Sequence, residues 1–182
     1  MRAGQLNRRV VIKKLSGDPP GAVTVTTVWG GFSVAATGSV PVSGGLRSPA
    51  AIQCRMRYPD LLAGWYLVDG LQLFHVNHVR NPDNKGRDWL ASCTELVGDP
   101  AVYTPAGGDP VDTRCFVIHD APFIGEHSQT VVYRARLELP LIEVGRAKKG
   151  DRVTTRGVDY EVLGLVAGGD DGVVRLLWGT PT

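Results

Sequence analysis

Few side chains of this 182-residue chain have the type and spacing that catalysis or metal binding requires. His75 and His78 lie three residues apart in a strand pattern, which predicts opposite faces and so no shared metal ion. His119 and Asp120 precede Ser128, but the elbow and oxyanion signature of a serine hydrolase are missing. The chain is therefore predicted not to be an enzyme, with no catalytic, cofactor-binding or metal-binding residues.

Two other groups of reactive side chains have simpler explanations. Lys148 to Asp151 reads Lys-Lys-Gly-Asp, which lacks the glycine spacing of a Walker motif and is explained by a turn before a strand. The three cysteines, Cys54, Cys93 and Cys115, form no CxxC pair, and their odd number argues against a disulfide framework. A reducing compartment is therefore expected.

The elements that position these side chains are predicted to be strands. The chain contains 23 Gly and 12 Pro, and Val is abundant, which favours strands and turns over helices. No apolar stretch approaches the roughly 18 residues needed to cross a bilayer, and the first residues lack the apolar core of a secretion signal. We expect an all-β protein with very little helix, soluble, made in the cytoplasm and without a membrane partner.

One strand pattern occurs twice along the chain. In residues 51–93 a strand ending at a proline is followed by a strand at 64–76, a polar turn and a strand at 89–93. Residues 132–178 repeat this order, with strands at 150–162 and 174–178. The repeat predicts two small β-barrel or β-sandwich domains in tandem, residues 1–98 and 99–182. The aligned pairs are Pro59 with Pro140, Leu67 with Val153, Phe74 with Tyr160, and Val76 with Val162.

The first strand of each copy alternates between a core face and an outward face, where it meets solvent, a partner or a channel. In the first copy the core residues are Ile52, Cys54, Met56 and Tyr58, and the outward residues are Gln53, Arg55 and Arg57. In the second copy the core residues are Tyr133, Ala135, Leu137 and Leu139, and the outward residues are Arg134, Arg136 and Glu138.

The remaining segments are predicted to be hairpins and loops. Strands at 8–14 and 23–29 flank a turn at 18–21, and a second hairpin covers 102–118. Long loops are expected at 33–50 and 120–126. Residues 60–63 allow about one helical turn, with Asp60 as N-cap.

The net charge of +2 conceals an asymmetry between the halves. Residues 1–98 carry eleven Lys or Arg against six Asp or Glu, a net charge of +5, whereas residues 99–182 carry nine against twelve, a net charge of −3. The basic residues that precede the first acid predict either a surface for phosphate or an acidic partner, or a solvated edge strand protected from aggregation. These residues are Arg2, Arg8, Arg9, Lys13 and Lys14.

An ordered series of short motifs resembles a known family. Residues 1–12 read Met-Arg-Ala-Gly-x-Leu-x-x-Arg-Val-x-Ile, and the series continues with Thr-Val-Trp at 27–29, Arg-Tyr at 57–58 and a Gly-x-x-x-x-Asp-Gly segment that ends at Val76. Over residues 1–97 it resembles the head-tail joining proteins of tailed bacteriophages, the head closure or stopper proteins. Residues 99–182, through segments 146–153, 157–162 and 170–172, are similar to the head-tail attachment proteins of lambda-like phages.

The resemblance implies a structural protein of the virion neck, made in the host bacterial cytoplasm. Copies would form a ring, with a hexamer favoured and a dodecamer possible, between the portal or adaptor protein and a tail terminator or other tail protein. The ring would help retain packaged DNA, and double-stranded DNA would pass it without sequence-specific contacts. Apart from the resemblance, we hypothesise that the 33–50 loop narrows the channel. The candidate channel or DNA-facing residues are Gly38, Gly44, Gly45, Arg47, Arg55 and Arg57. The candidate partner-interface residues are Arg2, Arg8, Arg9, Lys13, Lys14, Phe123, Ile124 and Glu126.

A ring also has a physical basis, since small β domains expose sheet edges that neighbouring copies in a cyclic array can cover. Two other functions stay open. One is another virion ring, such as a tail terminator or tail-tube component. The other is a small-barrel nucleic-acid-binding module, although the aromatic residues are not clustered on the arginine faces and the second half is acidic.

Overall fold

The computed structural model describes residues 6–34, 45–82, 86–124 and 131–182, which are almost entirely β structure. This confirms the all-β prediction. The strands are β1 (Arg8–Ser16), β2 (Gly21–Val34), β3 (Arg47–Met56), β4 (Tyr66–Asp69), β5 (Gln72–Arg80), β6 (Trp89–Leu96), β7 (Asp99–Thr104), β8 (Val111–Ile124), β9 (Val131–Pro140), β10 (Arg152–Thr155), β11 (Val158–Asp170) and β12 (Val174–Pro181), and the helix is α1 (Leu141–Val144). Among the described residues no helix is long and apolar enough to cross a membrane.

The strands form two closed six-stranded barrels with the same connectivity. The first has the order β1-β2-β3-β6-β5-β4 and closes between β4 and β1, and the second has the order β7-β8-β9-β12-β11-β10 and closes between β10 and β7. Tertiary contacts change from one unit to the other between Val97 and Gly98, and β7 begins at Asp99. The predicted pair of barrels in tandem is confirmed, and closure rather than sandwich packing is the form each takes.

The two barrels also share their strand register. Leu67 lies opposite Phe74, and Val153 lies opposite Tyr160. In both barrels a glycine with positive φ donates its backbone N–H at 2.8 Å to the carbonyl oxygen of a valine, from Gly64 to Val76 in β5 and from Gly150 to Val162 in β11. These contacts confirm the alignment of Leu67 with Val153, Phe74 with Tyr160, and Val76 with Val162.

The fourth aligned pair is wrong. Val76 lies opposite Cys93, which lies opposite Ile52. In the second barrel Val162 lies opposite Gly179, which lies opposite Ala135, so Ile52 corresponds to Ala135. Pro59 is seven residues beyond Ile52 and Pro140 five beyond Ala135, so their alignment is two residues out of register. A shift of two keeps every side chain on its original face, so alternation cannot detect it.

The predicted inner faces of β3 and β9 are buried. Cys54, Met56, Leu137 and Leu139 are fully buried, and Ala135 is 7% exposed. Ile52 and Tyr58 are partly buried and pack against the same core, although Tyr58 lies beyond the end of β3. The side chain of Tyr133 is outside the described part of the chain. Alternation therefore identified the core-facing residues within both strands.

All three cysteines are buried free thiols. Burial raises the pKa of Cys93 and of Cys115 to about 12, and it raises the pKa of Cys54 as well. Each thiol therefore packs as a small apolar group and is not a ready nucleophile.

Two local predictions are wrong. Residues 60–63 contain no helical turn: Asp60 and Ala63 lie in turns, Leu61 and Leu62 have irregular backbone, and the Leu61 side chain is buried in the first core. A single helical turn is costly to nucleate, so an N-cap signal alone does not specify one. Both long loops were also predicted too long, because Arg47 already lies in β3 and β8 continues to Ile124. Register shifts after Arg47 and after Ile118 interrupt the alternation of inward and outward residues, so the sequence pattern does not indicate a strand in these segments.

Barrel closure changes the interpretation of the strand edges. β1 lies between β2 and β4, so its basic residues do not belong to an edge strand, and that prediction is wrong. Since closure pairs the first and last strands of each barrel, the sheet-edge argument for ring formation also loses its basis.

Candidate functional site

The two histidines of β5 share one face, contrary to prediction. A β-bulge between Val76 and His78 shifts the register, so His75 lies opposite Thr94 and His78 lies opposite Ser92. Thr94 and Ser92 are two apart on β6 and point to the same side. The extra residue of a bulge reverses the alternation that spacing alone predicts. No group of three or more metal-ligating side chains occurs in the described ranges.

The bulge builds a polar surface on the outside of the first barrel. Two rows of opposed residues cross β3, β6 and β5: Gln53, Ser92 and His78 form one row, and Arg55, Leu90 and Arg80 form the next. Five of these residues line a groove of about 280 Å³, and Arg55 stands at the end of the second row. We call this surface the cationic face; its members are Gln53, Arg55, His78, Arg80, Leu90 and Ser92.

Of the predicted DNA-facing residues, Arg55 belongs to the cationic face and the others do not. Arg57 lies one residue beyond β3, with its side chain 62% exposed, and its Nε is 3.5 Å from a carboxylate oxygen of Asp88. It lines a different groove, with Leu6, Val28 and Trp29. The structure therefore separates Arg55 from Arg57 although both have outward parity. Arg47 lies in β3 opposite Leu96, Gly45 lies in a bend with φ of 108°, and Gly38 and Gly44 lie outside the described residues.

Sequence reasoning considered His78 only as a metal ligand and did not assign His78 or Arg80 to a DNA-facing surface. Both are exposed members of the cationic face, but the bulge at Asn77 puts them out of phase with the start of β5. The polar run after Val76 was the available signal, and it identifies the face only when the partners on β6 are known.

The basic residues of β1 do not form one surface. Val10 and Ile12 are fully buried, so Arg8 and Lys14 have inward parity near the two ends of the strand, whereas Arg9 and Lys13 have outward parity. The Arg8 guanidinium donates to Asp69 at 2.7 Å and to Gln72 at 3.3 Å, and Lys14 Nζ lies 5.8 Å from the centre of the Trp65 ring. Arg2 lies outside the described residues.

The predicted interface residues of the second half are only partly described. The backbone of Phe123 lies opposite Val132 and that of Ile124 opposite Val131, within β8 and β9 and not in a loop. Their side chains, and Glu126 as a whole, lie outside the described part. Their role at an interface stays a prediction.

The matching surface of the second barrel has a different character. Arg55 corresponds in register to Glu138, and Ser92 corresponds to Trp178. Glu138 is 9% exposed, and its carboxylate lies 3.8 Å from a guanidinium nitrogen of Arg136. The charge asymmetry of the sequence thus reappears at equivalent positions of the two barrels.

Comparison with known proteins identifies the family of this chain. A search of curated proteins finds no match. The sequence profile described as Phage Head-Tail Attachment protein matches residues 87–178, half of the chain. The match includes β6 of the first barrel, β7 to β11, and β12 as far as Trp178. The chain belongs to the phage head-tail attachment protein family.

Proposed function

We propose that this protein is a structural, non-enzymatic component of the phage neck, where a ring of its copies joins the DNA-filled head to the tail and helps retain the DNA. Family membership is the observation that carries the proposal. The portal or an adaptor is the expected neighbour on the head side, and a tail terminator or other tail protein on the tail side. A hexamer is the favoured ring, with a dodecamer as the alternative.

Charge supports an ordered stack of layers. The first half has a net charge of +5 and the second a net charge of −3. Opposite charges on successive layers steer docking and discriminate against wrong orientations. We infer that residues 1–98 form the domain that faces the head and residues 99–182 the domain that faces the tail.

Electron microscopy of phage particles tests the neck assignment. A phage whose gene for this protein is interrupted should produce heads and tails that do not join, and supplying the intact protein should restore joined particles. An epitope label on the protein should appear at the neck of the restored virions. Joined particles without the protein, or a label elsewhere on the virion, would overturn the proposal, and tails of irregular length would favour a tail terminator.

Particle mass tests the ring separately. The purified chain has a mass of 19.5 kDa, so closed rings of six or twelve copies are readily distinguished by native mass spectrometry, alone or with the purified neighbouring proteins. A monomer that stays unassembled even with both neighbours would contradict ring formation.

A further inference from the structure

We propose that the cationic face binds the phosphate backbone of duplex DNA, with Arg55, His78 and Arg80 as the principal donors. The inference rests on the proposed function, since a neck ring encloses the path of the DNA. It adds His78 and Arg80 to the DNA-facing residues predicted from sequence, and it assigns the DNA contact to the outer surface of β3, β6 and β5.

The two arginines of the face are close enough to contact one DNA backbone together. Arg55 and Arg80 occupy the same cross-strand row with Leu90 between them, so their backbones are two strand spacings apart, roughly 10 Å. His78 lies in the adjacent row, two residues along β5 in register. Arginine can donate two parallel hydrogen bonds to a phosphate group, which favours it over a point charge for this contact.

The neutral members of the face support the same ligand. The side chains of Gln53 and Ser92 lie in the row with His78, and both can donate hydrogen bonds to phosphate oxygens. Within the six residues that define the face there is no carboxylate to repel a polyanion. Such contacts hold the backbone without reading bases, as DNA moving past a ring requires.

The composition of the face argues against a protein partner and against single-stranded nucleic acid. Leu90 is the one apolar member, whereas the centre of a protein interface is enriched in aromatic and other apolar side chains. Single-strand binding relies on aromatic platforms for base stacking, and none of the six residues is Trp, Tyr or Phe. Duplex DNA is therefore the ligand that fits.

The test is the salt dependence of DNA binding by the full chain. Fluorescence anisotropy with a labelled duplex of about 20 base pairs should show affinity falling linearly with salt on logarithmic axes. Arg80→Gln removes one phosphate contact, so its slope should be shallower by about 0.9, and its loss of affinity between about 50 and about 200 mM salt should be about 3.5-fold smaller. His78→Ala removes a hydrogen-bond donor from the face and should also weaken binding. The matched control is Arg152→Gln, which removes an exposed arginine from β10 of the second barrel and should leave the slope unchanged.

Three outcomes would overturn the inference. The first is no duplex binding by the wild-type chain at low salt, and the second is an equal change of slope for Arg80→Gln and Arg152→Gln. The third is tighter binding to polyglutamate of matched charge than to duplex, which would assign the face to an acidic protein. A neck label in virions combined with any of these outcomes would remove only this inference. Duplex binding through this face by a protein that is not located at the neck would instead favour the alternative function, a small-barrel nucleic-acid-binding module.

Discussion

Removal of the Asp151 carboxylate should strongly lower the free energy of unfolding of the second barrel. This side chain is 4% exposed and accepts three hydrogen bonds, from the Tyr103 hydroxyl at 2.6 Å, the Ala106 N–H at 2.8 Å and the Lys148 N–H at 2.6 Å. It therefore ties β7 and the turn after it to the turn before β10. The Lys-Lys-Gly-Asp segment is thus the turn predicted from sequence, and its aspartate is structural.

The magnitude follows from the three donors. Asp151→Ala leaves them without their acceptor, and a buried unsatisfied donor costs about 1–3 kcal/mol. Because the two backbone donors are only partly buried, we take the lower half of this range and expect a loss of about 4 kcal/mol in the free energy of unfolding. Such a loss raises the population of the open barrel roughly a thousandfold.

Thiol labelling measures this opening within one barrel. Cys115 is the buried thiol of the second barrel, and Cys54 and Cys93 are those of the first. The rate of Cys115 alkylation, followed by mass spectrometry under native conditions, should rise by about the same thousandfold in Asp151→Ala, since labelling requires opening. A Cys115 rate within about threefold of wild type would refute the argument that these bonds hold the barrel closed.

The first barrel supplies the comparison. Trp65 occupies the position of Asp151, because each accepts a hydrogen bond at 2.8 Å from its aligned valine, and Ile12 occupies the position of Tyr103. An apolar pair therefore replaces the hydroxyl and carboxylate. The alkylation rates of Cys54 and Cys93 show whether opening in Asp151→Ala is confined to the second barrel.

Three further changes test other contacts of the second barrel. Burial, together with the bond to Asp151, raises the pKa of Tyr103 above its ordinary 10.0, so the stability that the hydroxyl contributes is complete below about pH 10 and is lost as the pH rises further. The urea midpoint of the wild type should therefore fall at alkaline pH, and Tyr103→Phe should reduce that fall. An unchanged fall in the variant would contradict this. Gly179→Ala would place a methyl group 2.9 Å from Leu137 Cδ1 and should cost about 1–3 kcal/mol in urea denaturation, whereas a neutral result would mean that the core yields. Glu143→Gln weakens the bonds from Arg114 Nη2 at 2.9 Å and Nε at 3.1 Å, and should cost about 1–2 kcal/mol in the same assay. An unchanged urea midpoint would mean that these bonds stabilise the fold no more than the hydration of the two side chains in the unfolded chain.

The inner faces were predictable because they depend on local alternation. Cys54 and Met56 stand at alternate positions of β3, Leu137 and Leu139 at alternate positions of β9, and all four are fully buried. The repeat was equally visible, and three of its four aligned pairs occupy matching places in the strand register. The fourth, Pro59 with Pro140, failed because a period of two is blind to a shift of two.

The cationic face was only half predictable. Arg55 was identified by its outward parity on β3, but His78 and Arg80 depend on the bulge after Val76. A bulge is a feature of two paired strands, and its position depends on which residues of the partner strand lie opposite. No pattern within β5 alone contains that information.

The sequence by itself determined the strand content, the core-facing residues, the duplication and the family resemblance, because each depends on residue type and short spacing. Tertiary structure decided the rest. Closure brings Ile12 opposite Leu67 and Tyr103 opposite Val153, and Tyr103 reaches Asp151 across 48 residues. These contacts depend on hydrogen bonding and packing between distant segments, and they determine which charged residues share a surface and which are enclosed in a barrel.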